Sequence, residues 1–406
     1  MMLRPLRVLC LDIEGGYGGS SRSLFYVVKH LNRDLVLPEV WCKREGPIQA
    51  MYDALGIRVR IEPELPKLSS LPRFSRSAYA NLRYLLALPG SSNLRARLVH
   101  EVNDRFDIVH FNHESLYLLA RWLRKQTPRA GFVMHNRTML WDSWFARRQA
   151  RILVNFNDAN IFISERERDN IRQLAGWNGG VVINNVVEIP AASSFLHESA
   201  SIDGGFKIAC LSNYSWMRGI DRLVDVAVAL RDLGRNEIRF VVGGKAELSG
   251  RLPGRLGEIA ARNGTLADYA AALGVGEMFV FLGHVSDPER VLAACQVLAK
   301  PSREDNPWGR DILEALAMAR PVLACGSCEE FVSPGETGFL YPCGEEFNPT
   351  RMAADIVRLA DDPILLRRIG RQGQARVRDR CDGNSRADDL LKVWERVFDR
   401  RALEHR

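Results

Sequence analysis

The stretch "VLAKPSREDNPWGRDILEALAMARPVLAC", residues 297–325, contains in succession a short apolar strand, a polar loop, a helix and a second strand. Apolar side chains such as Ile312 and Leu316 recur at helical spacing, so the pattern predicts a helix that begins near Gly309. A helix start exposes unpaired N–H groups, and a glycine there lets an anion such as phosphate approach closely. Glu314 follows about one turn later, within reach of a polar group attached to that anion. An ordinary buried helix with a glycine cap fits this stretch equally well.

Strand and helix patterns alternate along the whole chain. The series begins with "LRVLCLDI", "GGYGGSS" and "SRSLFYVVKHLNR", and it restarts with "KIACLSN" and "IRFVVGG" after a stretch rich in Ser, Ala, Gly and Pro. Such alternation predicts parallel sheets with helices on both faces. We therefore predict four segments: a Rossmann-like domain over 1–190, a linker over 191–205, a second Rossmann-like domain over 206–380, and a C-terminal helix over 381–406 that packs back toward the first domain.

The bulk composition is that of a globular protein. Of the 406 residues, 46% are hydrophobic and 26% are charged, and no apolar run reaches the roughly 18 residues that span a bilayer. The first apolar run is interrupted by Asp12 and Glu14, so we interpret it as a strand and not as a signal peptide, and we expect a cytoplasmic protein.

The eight scattered cysteines favour reduced thiols, and one lone Cys325-x-x-Cys328 pair is weak evidence for zinc.

The net charge of +7 is unevenly distributed. No acid occurs between Glu64 and Glu101, and the interval 65–100 interleaves basic residues with aromatic and aliphatic ones. The basic side chains are Lys67, Arg73, Arg76, Arg83, Arg95 and Arg97. This pattern predicts peripheral attachment to an anionic membrane surface, on the inner face of the cell membrane. A solvated helix with a core-facing stripe is the alternative, and no recognised nucleic-acid module accompanies the interval, so we expect no nucleic-acid partner.

The segment "PSREDNPWGRDILEALAMARPVLACGSCEEFVSPGETGFLYP", residues 301–342, resembles the donor-binding signature of retaining glycosyltransferases of family four. Further stretches resemble that family in the same order along the chain, among them "GGSSRSL", "VMHN", "MRGIDRLVDVA" and "FLGHVSD". The resemblance implies the GT-B fold, with two doubly wound Rossmann-like domains facing a central cleft. It also implies transfer of a sugar, with retention, from a UDP- or GDP-sugar to a glycan or lipid-linked acceptor in cell-envelope or exopolysaccharide biosynthesis.

The same resemblance assigns roles to the helix start. In that family the backbone amides at this position hold the diphosphate of the donor, and here they belong to Gly309, Arg310 and Asp311. The acid one turn later, Glu314, is expected to accept hydrogen bonds from the ribose hydroxyls. No bound metal or other cofactor is expected, because the helix dipole and cations stabilise the charge on the leaving phosphate.

Three residues of the first domain also match the family. Gly18 and Gly19 match the glycine-rich loop that lets this domain approach the diphosphate, although a plain strand-to-helix turn is the alternative. His135 matches the histidine that faces the transferred sugar, although a strand-end histidine bonded to backbone is the alternative. We predict His135 as a catalytic residue.

Two positions depart from the family's pattern. The first of its two acids is replaced by Asn306, which can still bind sugar hydroxyls but carries no charge. The neighbouring Glu304 and Asp305 are candidates to replace it. Of the family's two phosphate-neutralising cations, Arg218 is kept and the other position is Asn213. We predict Arg218 and Asn306 as catalytic residues, and Asn213 and Arg218 as residues that bind the diphosphate of the donor.

The loss of these charges motivates a hypothesis of altered donor preference, with loss of activity as the alternative. Arg310, at the helix start, is a candidate for the missing cation. Arg218, the cation that is kept, can bind phosphate through two parallel hydrogen bonds.

Three other function classes are alternatives to the glycosyltransferase. A nicotinamide-dependent oxidoreductase is disfavoured, because Gly16-x-Gly18-x-x-Ser21 lacks the last glycine of that fingerprint and basic Lys43 and Arg44 stand where an acid should bind ribose. A sugar-nucleotide epimerase would share the diphosphate site. A non-catalytic GT-B protein that binds a nucleotide or a partner would differ from the enzyme only in lacking turnover.

Overall fold

The computed structural model describes residues 4–16, 18–66, 91–189, 205–248, 250 and 252–405. They divide into two compact units. The N-terminal unit contains Met1–Val186 and Cys381–Arg406, and the C-terminal unit contains Val187–Arg380. The predicted linker lies outside the described residues except for Gly205, and so does the 67–90 part of the basic interval.

The N-terminal unit is built on a seven-stranded parallel sheet in the order β3-β2-β1-β4-β5-β6-β7. Its strands are β1 (Leu6–Asp12), β2 (Val36–Cys42), β3 (Val59–Ile61), β4 (Ile108–Phe111), β5 (Gly131–Asn136), β6 (Ala159–Phe162) and β7 (Val181–Val182). Its helices up to this point are α1 (Gly19–Lys29), α2 (Ile48–Asp53), α3 (Ser92–Arg105), α4 (Tyr117–Arg124), α5 (Trp144–Phe156) and α6 (Glu165–Ala175).

The central strands of this sheet are buried on both faces, as expected for a parallel sheet covered by helices. Along β1, Leu9 and Leu11 join one apolar cluster with α3 to α6, whereas Val8 and Cys10 join another with α1. This two-sided burial explains why the strand reads as an almost continuous apolar run.

The last helix of the chain, Gly383–Glu404, belongs to the N-terminal unit. It packs on α1 and on the adjacent strands β4 and β5, where Trp394 and Val397 enter the apolar cluster. The approach is so close that a Cβ on Gly131 would lie 2.4 Å from Val397 Cγ1. Glycine at the first position of β5 therefore allows this helix to dock.

The C-terminal unit is built on a six-stranded parallel sheet in the order β10-β9-β8-β11-β12-β13. Its strands are β8 (Lys207–Leu211), β9 (Arg239–Gly243), β10 (Phe279–Gly283), β11 (Val297–Lys300), β12 (Val322–Cys325) and β13 (Gly338–Tyr341). Its helices are α7 (Arg222–Asp232), α8 (Arg255–Ala261), α9 (Leu266–Ala272), α10 (Pro288–Ala293), α11 (Arg310–Ala317), α12 (Pro349–Asp361) and α13 (Pro363–Arg380), so that Gly383–Glu404 is α14.

The strand order locates the ligand-binding edge of this unit. From β8 the chain continues to β9 and β10 on one side, and then crosses to β11, β12 and β13 on the other. The loops after β8 and β11 therefore lie at a topological switch point, where open parallel sheets bind ligands. The prediction of two doubly wound parallel sheets is confirmed. Within the described ranges, every helix is too short or too polar to span a lipid bilayer.

Candidate functional site

The predicted helix start is present at Gly309. Helix α11 follows a Gly309 with extended backbone (φ −63°, ψ 161°), and its first intrahelical hydrogen bond runs from Ile312 N to Gly309 O. The N–H groups of Arg310 and Asp311 precede that bond, so they belong to the set that a helix leaves for an external partner. The positive end of the helix dipole lies at the same place and favours an anion.

Lys300 is a site residue that the sequence analysis missed. It ends β11, its side chain is only 5% exposed, and its Nζ lies 2.8 Å from Asp311 Oδ1. Burial lowers the pKa of Lys300, and the nearby charge of Asp311 opposes that effect. A Cβ on Gly309 would lie 2.3 Å from Lys300 Nζ, so this ammonium stands directly beside the helix start. The sequence feature that could have identified Lys300 as a site residue is its position at the end of an otherwise apolar strand.

Arg310 and Glu314 are bonded to each other along α11. The guanidinium donates from Nε and Nη2 to Glu314 Oε1, at 3.1 and 2.9 Å. Both side chains are at most 10% exposed. Glu314 is thus placed one turn behind the helix start, as predicted, and its carboxylate is oriented by a neighbour.

The loop after β8 carries Arg218 and is fixed against the loop after β11. Gly219 has a positive φ of 64°, and a Cβ there would lie 1.9 Å from Pro301 O. Arg303 donates to both carboxylate oxygens of Asp221, at 2.8 and 2.7 Å. Arg218 itself is 41% exposed and lies 4.0 Å from Glu304 Oε2. The two loops of the switch point therefore hold Arg218 at the same edge of the sheet as Gly309.

Asn213 has a structural partner within the same edge. Its Oδ1 accepts a hydrogen bond of 2.9 Å from Lys245 N, in the segment that follows β9. The side chain thereby ties together the loops after β8 and β9. Its predicted role toward the diphosphate stays a prediction.

Asn306 lies beside one of the two acids considered as its replacement. Its Nδ2 donates to Glu304 Oε2 at 3.2 Å, and its Oδ1 is buried with no hydrogen-bond partner among the described residues. Asp305 instead accepts from the N–H and hydroxyl of Ser327, at 2.8 and 2.6 Å. Of the two acids, Glu304 is therefore the one that accompanies Asn306 and Arg218, whereas Asp305 anchors the loop after β12.

In the N-terminal unit, Gly18 and Gly19 occupy the start of α1. Gly18 is the residue before the helix and Gly19 is its first residue. A Cβ on Gly18 would meet Glu14 Cγ at 3.3 Å, whereas one on Gly15 would lie 2.4 Å from Arg44 O. Packing within the described residues thus demands glycine at position 15 more strongly than at position 18. The predicted role of Gly18 and Gly19 toward the donor stays a prediction.

His135 lies near the carboxyl end of β5 and is buried. Its Nδ1 is 3.3 Å from Arg137 Nη2, and its Nε2 is buried without a hydrogen-bond partner among the described residues. Burial, together with the positive charge of Arg137 and the neighbouring His110 and His113, lowers the pKa of His135 well below its ordinary value. The imidazole is therefore neutral, and one polar atom of the ring is left for another partner.

A buried polar network around Asp12 was also missed by the sequence analysis. The carboxylate of Asp12 accepts hydrogen bonds from Ser21 Oγ and, at 3.2 Å, from Asn112 Nδ2. Burial raises the pKa of Asp12 to about 6, although both hydrogen bonds and the charge of Arg137 work in the opposite direction. Asn112 in turn accepts from the Arg137 guanidinium, so the network connects the ends of β1, β4 and β5.

Two family models match the chain, one within each of its two compact units. The model for "Glycosyl transferase 4-like domain" matches residues 18–185, and that for "Glycosyl transferases group 1" matches residues 194–376. The predicted site residues Gly309, Arg310, Asp311 and Glu314 lie within the second match. No curated protein sequence matches the chain at a significant level.

Solved structures share the architecture. HepE of Anabaena, solved with UDP and glucose, superposes with a TM-score of 0.75 at 22% identity, over 96% of this chain and 99% of that one. Sucrose-phosphate synthase from Thermosynechococcus elongatus gives 0.73 at 14% identity, over 97% and 99%. A glycosyltransferase from Rickettsia africae gives 0.71 at 16% identity, over 97% and 98%. With both halves matched by glycosyltransferase family models and the two-sheet architecture shared, this chain is a GT-B glycosyltransferase of the group 1 type.

Proposed function

We propose that this glycosyltransferase uses a nucleoside-diphosphate sugar, most simply a UDP-sugar, and transfers the sugar with retention of anomeric configuration. The observation that carries the proposal is the helix start at Gly309, where the first N–H groups of α11, the dipole of that helix and Lys300 converge. Two further structures of HepE, solved with UDP and with UDP-glucose, have the same fold and support a uridine nucleotide as the first candidate. A GDP-sugar is the alternative donor.

The chemistry follows from charge that develops on the leaving group. As the bond between sugar and β-phosphate breaks, negative charge accumulates on the phosphate oxygens, and preorganised donors lower that barrier. The N–H groups of Arg310 and Asp311 and the cations Lys300 and Arg218 are the donors available at this edge. Glu314 binds the ribose hydroxyls. No general base is assigned, and no bound metal or other cofactor is required in this proposal.

The acceptor is a glycan or a lipid-linked sugar, in cell-envelope or exopolysaccharide biosynthesis. We also propose that residues 65–100 attach the protein to the inner face of the cell membrane. Two basic side chains of that interval are described, and both engage neighbours. Arg95 lies 4.9 Å from the ring centre of Trp122, and Arg97 donates to Glu62 Oε2 at 2.5 Å. The attachment therefore depends on the basic residues within 67–90.

Flotation with anionic vesicles tests the membrane contact. Salt-sensitive binding that is lost when Arg73, Arg76 and Arg83 become Ser supports it, because surface attraction to anionic lipids falls with added salt. Binding that is absent, or that survives the three substitutions, rules it out. Neutral vesicles serve as the control for attachment that does not depend on charge.

The donor is tested by thermal unfolding with UDP, GDP, ADP and TDP and the matching sugars. A ligand at about one hundred times its dissociation constant adds roughly 2.7 kcal/mol to the stability of the native state. We expect one nucleotide to raise the melting temperature of the wild type and of Glu258→Gln, a surface control in the same unit, but not of Glu314→Gln. Turnover with the matching sugar, followed by NMR of the anomeric proton, then tests retention. An absence of any nucleotide response would overturn the proposal.

A further inference from the structure

Two buried imidazoles, His110 of β4 and His135 of β5, stand side by side on one face of the N-terminal sheet. Their ring centres are 5.5 Å apart and their planes are nearly perpendicular. The Nδ1 of His110 lies 3.3 Å from Trp394 Nε1, and the Nδ1 of His135 lies 3.3 Å from Arg137 Nη2. Each histidine thus directs the same ring nitrogen at a neighbour of the same chain.

Both neighbours can only donate hydrogen bonds, because neither an indole N–H nor a guanidinium has an acceptor atom. The Nδ1 atom of each histidine must therefore be the acceptor. In a neutral imidazole the hydrogen is then on Nε2. Among the described residues, the Nε2 atoms of His110 and His135 are both buried without a hydrogen-bond partner.

The two histidines differ in where they stand along their strands. His110 is enclosed between two aromatic rings, since it makes edge-to-face contacts with His135 and with Trp394 of the C-terminal helix. His135 is one residue from the carboxyl end of β5, the edge at which parallel sheets bind ligands. His135 is therefore the one placed to offer its Nε2 hydrogen to a ligand.

Arg137 is held rigidly by groups from neighbouring loops. Its Nε donates to Asn112 O at 2.9 Å, its Nη1 donates to Asn185 Oδ1 at 3.0 Å, and its backbone N–H donates to Glu114 Oε2 at 2.9 Å. Two of these bonds come from the guanidinium, whose Nε and Nη2 also donate to Asn112 Oδ1, at 3.0 and 2.5 Å. A planar guanidinium held in this way has a fixed orientation, and its Nη2 lies 3.3 Å from His135 Nδ1.

We infer that Arg137 is a positioning residue that fixes His135 as the Nε2–H tautomer, so that the neutral ring donates a hydrogen bond to an oxygen of the bound sugar. The identity of that sugar oxygen rests on the proposed function, whereas the tautomer does not. Arg137 and its hydrogen-bond partners are the new element, since His135 is predicted as a catalytic residue from the sequence.

The charges around the ring agree with this role. Burial holds the pKa of His135 well below its ordinary value, and the positive charge of Arg137 and the neighbouring rings of His110 and His113 act in the same direction. The carboxylates of Asp12 and Glu114, which lie near His135, accept hydrogen bonds from other groups. Asp12 accepts from Ser21 and Asn112, and Glu114 accepts from Thr138 and from the backbone N–H of Arg137.

Nitrogen-15 NMR of the full chain, labelled at its eight histidines, tests the tautomer directly. The His135 signals are assigned by their loss in His135→Gln. We expect a neutral Nε2–H pattern that does not titrate between about pH 6 and pH 8, where an ordinary histidine does. An Nδ1–H pattern, or titration in that range, overturns the inference from the wild-type spectrum alone.

The Arg137→Met variant tests the cause of the tautomer. We expect the His135 signals to shift toward a tautomer mixture, whereas His110, bonded to Trp394, keeps its Nε2–H pattern as an internal control. Unchanged His135 signals would show that Arg137 does not fix the ring. If Arg137→Met does not fold, Asn185→Leu removes one anchor of the guanidinium and is expected to give a smaller shift in the same direction.

Kinetics of the same variants connect the tautomer to transfer. Loss of one positioned hydrogen bond predicts a fall of about tenfold in kcat, with the dissociation constant for UDP unchanged and with partial rescue by Arg137→Lys. An equal loss of UDP affinity, or no rescue, would indicate a structural role alone. If the wild type transfers no sugar, the proposed function fails while the NMR result still decides the tautomer.

Discussion

The guanidinium of Arg310 donates two hydrogen bonds to a single oxygen of Glu314, one helical turn further along α11. From the sequence, Arg310 is a candidate to replace the missing phosphate-facing cation. The observed hydrogen bonds instead pair Arg310 with Glu314, the residue that is predicted to bind the ribose. We therefore expect Arg310 to act first on the nucleoside part of the donor, by orienting Glu314.

Replacing Arg310 by Ala is expected to lower the free energy of unfolding by about 3 kcal/mol, because it leaves a buried carboxylate without its cationic partner. Urea unfolding of the C-terminal unit measures this loss. The double variant Arg310→Ala with Glu314→Gln should be more stable than Arg310→Ala alone, since no unpaired charge remains. Strictly additive effects in this cycle would show that the two side chains do not depend on each other.

Lys300 gives the sharpest test of the phosphate site. Lys300→Met removes an ammonium beside Gly309 and leaves the negative charge of Asp311 uncompensated at the helix start. We expect UDP to bind at least about tenfold more weakly, with little change for uridine, because only UDP carries the phosphates. Isothermal titration with both ligands measures the difference.

A second variant separates two roles of Lys300. Lys300→Met combined with Asp311→Asn restores local neutrality without restoring a cation. If Lys300 contacts the diphosphate, this double variant recovers stability but still binds UDP weakly. Full recovery of UDP affinity would mean that Lys300 serves only to neutralise Asp311.

Some features of this molecule could be predicted from the sequence because their determinants are local. The start of α11 was predicted correctly, since a glycine followed by apolar residues at helical spacing defines it within a few positions. The two parallel sheets were also predicted correctly, because strand and helix patterns alternate at regular intervals. Both depend on residues that are near neighbours in the chain.

The polar contacts of the site depend on distant residues. The partner of Lys300 is 11 positions away, that of Asn213 is 32 positions away, and Arg137 meets Asn112 and Asn185 at 25 and 48 positions. Only the register of the parallel strands and the loops after them brings these pairs together. One sequence contains no record of that register, so Lys300, Asp12 and Arg137 were missed.

Gly219 is expected to be indispensable to the arrangement of the loops after β8 and β11. Its positive φ and the 1.9 Å distance from a Cβ to Pro301 O imply that Gly219→Ala adds a backbone clash to conformational strain. Gly234→Ala is the matched control, because Gly234 has a φ of 75° and no atom within 4 Å of its Cβ position. We expect Gly234→Ala to lower the free energy of unfolding by about 1 kcal/mol, and we expect Gly219→Ala to lower it clearly more.

Nucleotide binding adds a second measurement to this pair. Only Gly219→Ala should weaken UDP binding, since it moves the loop that carries Arg218, whereas Gly234 lies after α7, outside the loops of the site. Equal losses of stability in the two variants, with UDP binding intact in both, would contradict a fixed contact between the loops.

Asp12 makes the stability of the N-terminal unit depend on pH. Burial raises the pKa of this carboxyl from 3.8 to about 6, so between these values the folded chain binds more protons than the unfolded chain. The derivative of the unfolding free energy with respect to pH is proportional to protons bound unfolded minus protons bound folded, and here it is negative. The contribution of Asp12 therefore decreases as pH rises from about 4 to about 6, and it is constant above that range.

Asp12→Asn removes this titration. Relative to the wild type, we expect the variant to gain about 3 kcal/mol of stability between pH 4 and pH 7, since a shift of about two pKa units corresponds to that free energy. Urea unfolding across this range measures the gain. Ser21→Ala should make the stability decrease more steeply with rising pH. It removes a hydrogen bond that favours the ionised carboxylate, so it destabilises the protein at neutral pH more than at acidic pH. Parallel pH profiles for the wild type and Asp12→Asn would show that the pKa of Asp12 is the same in the folded and unfolded chain, and that the hydrogen bonds from Ser21 and Asn112 and the charge of Arg137 fully offset the effect of burial.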